Sequence, residues 1–324
     1  MASPNLSELI TSTLRNRTGK LADNVTDNNA LLYKMKQKGR TKPVSGGRTI
    51  VQELEYAENT NAMWYQGYDP LNTAVQDVIT AAEFDFKQAA VAVSISGLEE
   101  LQNAGKEKIL DLLDARISNA EKTMKNLIAA GLYGNGTASG GKEIGGLQLL
   151  VADTNTSGTV GGINRATFSF WQNVSRDSSA ASPSVTLGST TVQSEFNIMY
   201  LNLARGTDHP DLIVCDNTIY RYYLESLQSI QRVTNKELAS AGFDNLQYMS
   251  ADVVYDGGIG GNCPANHAYF LNTDYIHYRP HSARNMVPIG GERMNTNQDA
   301  IVKLIGWAGN MTLSNAMLQG VLTV

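Results

Sequence analysis

Cysteine is nearly absent: the 324 residues contain two, Cys215 and Cys263. A disulfide scaffold is therefore excluded, and folding in a reducing cytosol is the expectation. No run approaches the ~20 consecutive apolar residues that a membrane-spanning helix needs. Met1 to Arg17 is polar with scattered leucines, which predicts no secretory signal. Charge is scarce too: 18% of residues are Asp, Glu, Lys or Arg, below the ~25% usual in soluble domains. So neutral a surface predicts that much of it is covered by neighbours. The net charge of −5 excludes generic attraction to nucleic acid through bulk positive charge. Asn-x-Ser/Thr triplets, as at Asn5 and Asn310, reflect composition rather than glycosylation.

Catalytic signatures are also missing. Gly136 to Glu143 mimics a phosphate loop, but Glu143 stands where a hydroxyl must hold magnesium, and a helix precedes the loop instead of following it. A flexible glycine linker explains this stretch better. The four histidines, His209, His267, His277 and His281, come with no C-x-x-C pair, and Pro280 disrupts helical pairing of His277 with His281. No metal or cofactor site is expected. There is no G-x-S-x-G elbow. Asp256-Gly-Gly258 reads as a turn. Glu83 and Asp85 are like charges on one face of a strand, where a catalytic pair would need burial. These absences argue against an enzyme.

Organisation is more informative. Residues 1–42 form an expected arm: Ser3-Pro4 begins one short helix with Leu6, Leu9, Ile10 and Leu14, and Ala30–Lys38 fits a second with Leu31, Leu32 and Met35. Lys34, Lys36, Lys38, Arg40 and Lys42 occupy every second position. That run is either a solvated basic face or an arm seeking an acidic neighbouring subunit or nucleic acid. Residues 44–95 read as a long hairpin, with an outgoing limb Arg48–Tyr56 and a return limb Asp77–Ser96. Limbs of roughly 15 residues would reach ~50 Å at ~3.3 Å per residue. An isolated hairpin is marginal, so this one needs a surface to lie on. Trp64, Tyr65 and Tyr68 near its tip fit either local packing or anchors buried on another subunit.

Ser96-Gly-Leu-Glu99 matches a capping box. Ile109, Leu112, Leu113, Ile117, Ala120, Met124, Leu127 and Ile128 then keep helical spacing, which predicts a rod over Lys106–Ala130. A glycine-rich stretch, 131–162, leads to a mixed domain ending near Gly291. There a helix fits Val192–Arg205, a strand Asp211–Cys215, and a helix capped by Asp216. Short strands fit Leu246–Tyr255 and Ala268–Leu271. Asp299–Val324 returns to strand character. The length predicts two domains or one with large excursions.

In this order the chain resembles the major capsid protein of tailed bacteriophages, with the α+β HK97-type fold. The resemblance spans nearly the whole chain. It rests on Ala82 to Gln88 leading into Ser96 to Leu101, and on Ala120-Glu121 through Gly136. Further along it rests on Gly161 to Arg165 with Phe170-Trp171, Pro210 to Val214 with Tyr220 to Leu224 and Gln231-Arg232, and Gly309 to Ser314 with Gln319-Gly320. It implies an N-terminal arm (1–42), an extended loop (43–95), a peripheral domain with a spine helix (96–145), an axial domain (146–290) and returning strands (291–324). It implies a subunit that self-assembles into hexamers and pentamers of an icosahedral head, built in the bacterial cytoplasm. Scaffold, portal and decoration proteins are possible partners, and packaged double-stranded DNA a non-specific one. Lys34, Lys36, Lys38, Arg40, Lys42, Trp64, Tyr65 and Tyr68 become candidate intersubunit contacts. The founding member of the family cross-links covalently through a lysine on its extended loop. Val44 to Phe86 contains no lysine, so a non-covalent shell is expected here. An encapsulin-like compartment is the alternative of similar fold.

Overall fold

A computed structural model describes residues 29–102, 112–181, 184–227, 246–258, 260–289, 293–294 and 299–324. The expected helix near Ser3-Pro4 and the residues Lys106 to Asp111 lie outside these.

The first described element is helix α1, Ala30–Gln37, capped by Asn29, whose side chain accepts from Leu32 N at 2.8 Å. Its buried Ala30, Leu31 and Met35 belong to the main core. After it the chain pairs in parallel with a later strand at Thr41↔Tyr278 and Val44↔His281. Residues 29–44 are thus bound to their own chain, so an arm reaching as far as residue 42 is corrected by the burial of this stripe.

Strands β1 (Thr49–Glu55) and β2 (Ile79–Asp85) pair antiparallel, from Thr49↔Asp85 to Glu55↔Ile79. Ile50, Leu54, Ala82 and Phe84 point into the core, while Val51, Glu53, Glu55, Ile79, Ala81, Glu83 and Asp85 face outward. Seven pairs span only ~23 Å, and Ala57 to Asp77 carry no regular strand. The expected 50 Å ladder is therefore cut short. Its return limb is also divided. The chain leaves the hairpin at Phe86, and β3 (Lys87–Ser96) joins a different sheet.

Helix α2 (Gly97–Gln102) follows, with reciprocal bonds between Ser96 and Glu99. Helix α3, Leu112–Tyr133, is the described part of the spine and runs three residues beyond the expected Ala130. Its Ala120 packs on Val93 and Ile305, and its Met124, Ile128 and Leu132 enter the main core.

The glycine-rich stretch is a packed crossing, not a flexible linker. A Cβ on Gly146 would sit 2.4 Å from the backbone of Gly131 and Leu132. Asn310 staples the crossing down: its Oδ1 accepts from Gly145 N at 3.1 Å, and its Nδ2 donates to Asp85 O at 2.8 Å. Beyond a one-turn helix α4 (Leu147–Leu150) come the pair β4 (Thr159–Val160) and β5 (Ile163–Asn164), then β6 (Val174–Asp177).

Helices α5 (Val192–Asn202) and α6 (Asn217–Ser226) flank β7 (Leu212–Cys215) in sequence. Strands β8 (Leu246–Tyr248), β9 (Ala251–Tyr255) and β10 (His267–Leu271) follow. Next come β11 (Ile276–Pro288), β12 (Arg293–Met294), β13 (Ala300–Leu313) and β14 (Gly320–Thr323). One sheet has the order β6-β14-β10-β7-β9-β8, and a second is built on β13, flanked by β3 on one side and by β11 and β12 on the other.

The six-stranded sheet separates the two main cores. Leu212, Val214, Val254, Tyr269 and Val321 face one cluster with α1 and the end of α3; Ile213, Cys215, Val253, Phe270 and Leu322 face the other with α5 and α6. A strand buried on both faces reads as a continuous apolar run, as Leu212–Cys215 does. The C-terminal strands serve both sheets, β13 in one and β14 in the other.

Candidate assembly surface

The most exposed apolar chemistry lies in the loop between β1 and β2. Trp64 and Tyr68 are fully exposed, Val75 is 94% exposed, and Met63, Tyr65 and Leu71 are exposed as well. Polar bonds within the loop shape it: Thr60 Oγ1 donates to Gln76 at 3.0 Å, and Gln66 N to Asp69 Oδ2 at 2.9 Å. The attachment is at the base, where Tyr56 packs on Phe170 and Glu83 N donates to Gly161 O at 2.9 Å. Two aromatic rings held fully in water are characteristic of a contact surface, since burying each side chain is worth about 1.5–3 kcal/mol. Trp64, Tyr65 and Tyr68 are brought together here on one loop.

The basic run behaves differently. Lys34 is buried against Asp252 at 2.9 Å, and burial lowers its pKa although the aspartate raises it. Lys38 Nζ donates to Asp211 Oδ2 at 2.7 Å, and Arg40 pairs with Asp274. These three cations are taken up within the chain, which corrects the picture of one solvated face or free arm. The side chains of Lys36 and Lys42 remain exposed. The acids concerned come from the β7, β9 and β10–β11 regions, so no local pattern announced them.

Asp256 was also missed. Buried at the end of β9, it accepts from Tyr133 Oη at 2.6 Å and from Asn29 Nδ2 at 3.1 Å. Burial raises its pKa against these bonds, and raises that of Tyr133. Arg165 is a buried cation of another kind: its guanidinium donates to the carbonyls of Trp171 and Leu150, and burial lowers its pKa to about 10. Both groups tie segments together inside the molecule. Among the described residues no three His, Cys, Asp or Glu side chains converge to hold a metal ion. No described helix is long and apolar enough to cross a membrane.

Neither a family model nor a curated protein matches this sequence. Solved structures do. The capsid asymmetric unit of cyanophage A-1(L) is 16% identical with a TM-score of 0.70, covering 96% of both chains. The holo encapsulin complex of Synechococcus elongatus is 9% identical with a TM-score of 0.59, covering 98% of this chain and 95% of that one. The capsid of the Myoviridae phage XM1 is 12% identical with a TM-score of 0.53, covering 94% and 99%. The likeness establishes the fold: the α+β, HK97-type architecture of phage capsid subunits, shared with an encapsulin.

Proposed function

We propose that this chain is the major capsid protein of a tailed bacteriophage. It assembles with copies of itself into hexamers and pentamers of an icosahedral head that encloses double-stranded DNA. Its role is structural, without catalysis and without covalent cross-links. One observation supports this reading best: a loop that holds Trp64 and Tyr68 fully in water, on a chain whose likeness to a capsid structure covers 96% of its length. Such a loop gains its stabilising contacts only when a second copy covers it. The encapsulin reading draws on the second match, at a TM-score of 0.59. The contents of purified particles, DNA or a cargo protein, separate the two.

Contact with the genome is expected to be sparse and salt-sensitive, because the chain carries net negative charge and phosphate binding scales with the cations supplied. Deleting residues 57–72 tests the assembly role. The truncated subunit should keep its thermal transition and its two cores but close no shells. Normal particles from the deletion variant would show that the loop is not an intersubunit element.

A further inference from the structure

The hairpin has a charge character of its own. Between Thr49 and Asp85 lie seven acids, Glu53, Glu55, Glu58, Asp69, Asp77, Glu83 and Asp85, and no lysine, arginine or histidine. That exceeds the −5 of the entire chain, so the remainder is net positive. All seven are exposed. The pairing register puts the four acids of the ladder on its outer face. Among the described residues, none of the seven pairs with a cation.

A complementary set of donors lies on the β11–β13 sheet. Thr41 pairs with Tyr278 in parallel register, so Lys42 shares a face with Arg279, and Arg40 with His277. Across the ladder His277 stands opposite Thr312. His277 is 5% exposed, yet both of its ring nitrogens lack a hydrogen-bond partner, as do buried Arg279 Nε and Thr312 Oγ1. The side chains of Lys42 and Arg279 bond to no described group, although the Lys42 backbone N–H donates to Tyr278 O at 3.0 Å. The charged groups facing His277 are Lys42, Arg279, Arg40 and Asp274, and the one acid among them is already paired with Arg40. Buried donors left without acceptors destabilise the subunit that carries them, and the groups gathered here can all donate.

We infer that Lys42 and Arg279, with His277 and Thr312 on the same face, form a cationic docking site for the outward-facing carboxylates Glu53 and Glu55 of the hairpin of a second copy of this chain. The spacing fits: Glu53 and Glu55 are two apart on a strand, as are His277 and Arg279, and the period of both is ~6.7 Å. This inference rests on the shell reading and assigns the hairpin its landing place within it. It also gives the hairpin charge a purpose, since acidic loops repel one another and are drawn to a cationic face.

The test is charge exchange in the full-length chain. Lys42→Glu with Arg279→Glu reverses the charge of the docking site, Glu53→Lys with Glu55→Lys reverses that of the hairpin, and a third variant carries all four. Each pair alone should lower the yield of closed particles by about tenfold or more at 0.15 M salt, because like charges then meet across the contact. The combined variant should restore it to within about twofold of the unaltered chain. Circular dichroism of the unassembled subunits checks that every variant is folded. Normal assembly of both paired variants would overturn the inference, as would a folded combined variant that assembles no better than they do. Normal shells that lack DNA from the Lys42→Glu, Arg279→Glu variant alone would overturn it too, by showing that the site takes nucleic-acid phosphate. If the unaltered chain closes no particles, the shell reading itself fails and takes this one with it.

Discussion

Asp256 joins three parts of the chain that are far apart in sequence: Asn29 before α1, Tyr133 at the end of α3, and the turn after β9. Its carboxyl has a raised pKa because burial penalises the charge more than its donors favour it. The folded state therefore binds a proton more tightly than the unfolded chain. Its contribution to stability is full below the ordinary carboxylate range and is lost as pH rises through the folded value. Tyr133→Phe removes a donor to the ionised form and raises that value further. We expect the variant to be destabilised by about 1–3 kcal/mol near neutral pH, with a larger drop in melting temperature at pH 8 than at pH 5. Equal drops at both pH values would show that Asp256 does not titrate in this window. None of this was legible in Asp256-Gly-Gly258, which announces only a turn. Burial of Lys34 was hidden for the same reason, because its partner Asp252 is 218 positions away.

Elements with strong local signals were read correctly. The apolar run Leu212–Cys215 and the Asp216 cap, whose Oδ1 accepts from Ile219 N at 2.9 Å, fall where expected. The outgoing hairpin limb does as well. β11 was missed: it contains Pro280 and Pro288, a polar stretch from His281 to Asn285, and two register shifts. Its strand character comes from the neighbouring β13, not from its own alternation. The glycine stretch was misjudged because many glycines suit both a loose linker and a tight crossing. Gly146 separates the two meanings. Gly146→Ala would drive a methyl against the backbone at 131–132, and overpacking typically costs about 1–3 kcal/mol. Urea unfolding should show a midpoint lowered accordingly with an unchanged slope. A variant as stable as the original would mean that the crossing yields freely.

At the scale of the whole molecule, the order of elements carried the fold, and the comparison with capsid structures agrees over 96% of the chain. The exposed aromatics were legible as candidates, but their solvent exposure required the structure. The hairpin between Val44 and Phe86 has no lysine, and Lys87 at its base donates to Gly141 O at 2.7 Å. Particles boiled in detergent and reductant should therefore run as a single band near 35 kDa. A ladder of multimers would show that covalent cross-links form after all. On the proposed reading, shell stability comes from covered apolar and edge surfaces. The most direct measurement is electron cryomicroscopy of particles purified from cells producing the chain. The account predicts closed icosahedral shells in which Trp64 and Tyr68 are buried against a neighbouring copy. Dispersed subunits, or shells whose hairpin loops stand free in solvent, would contradict it.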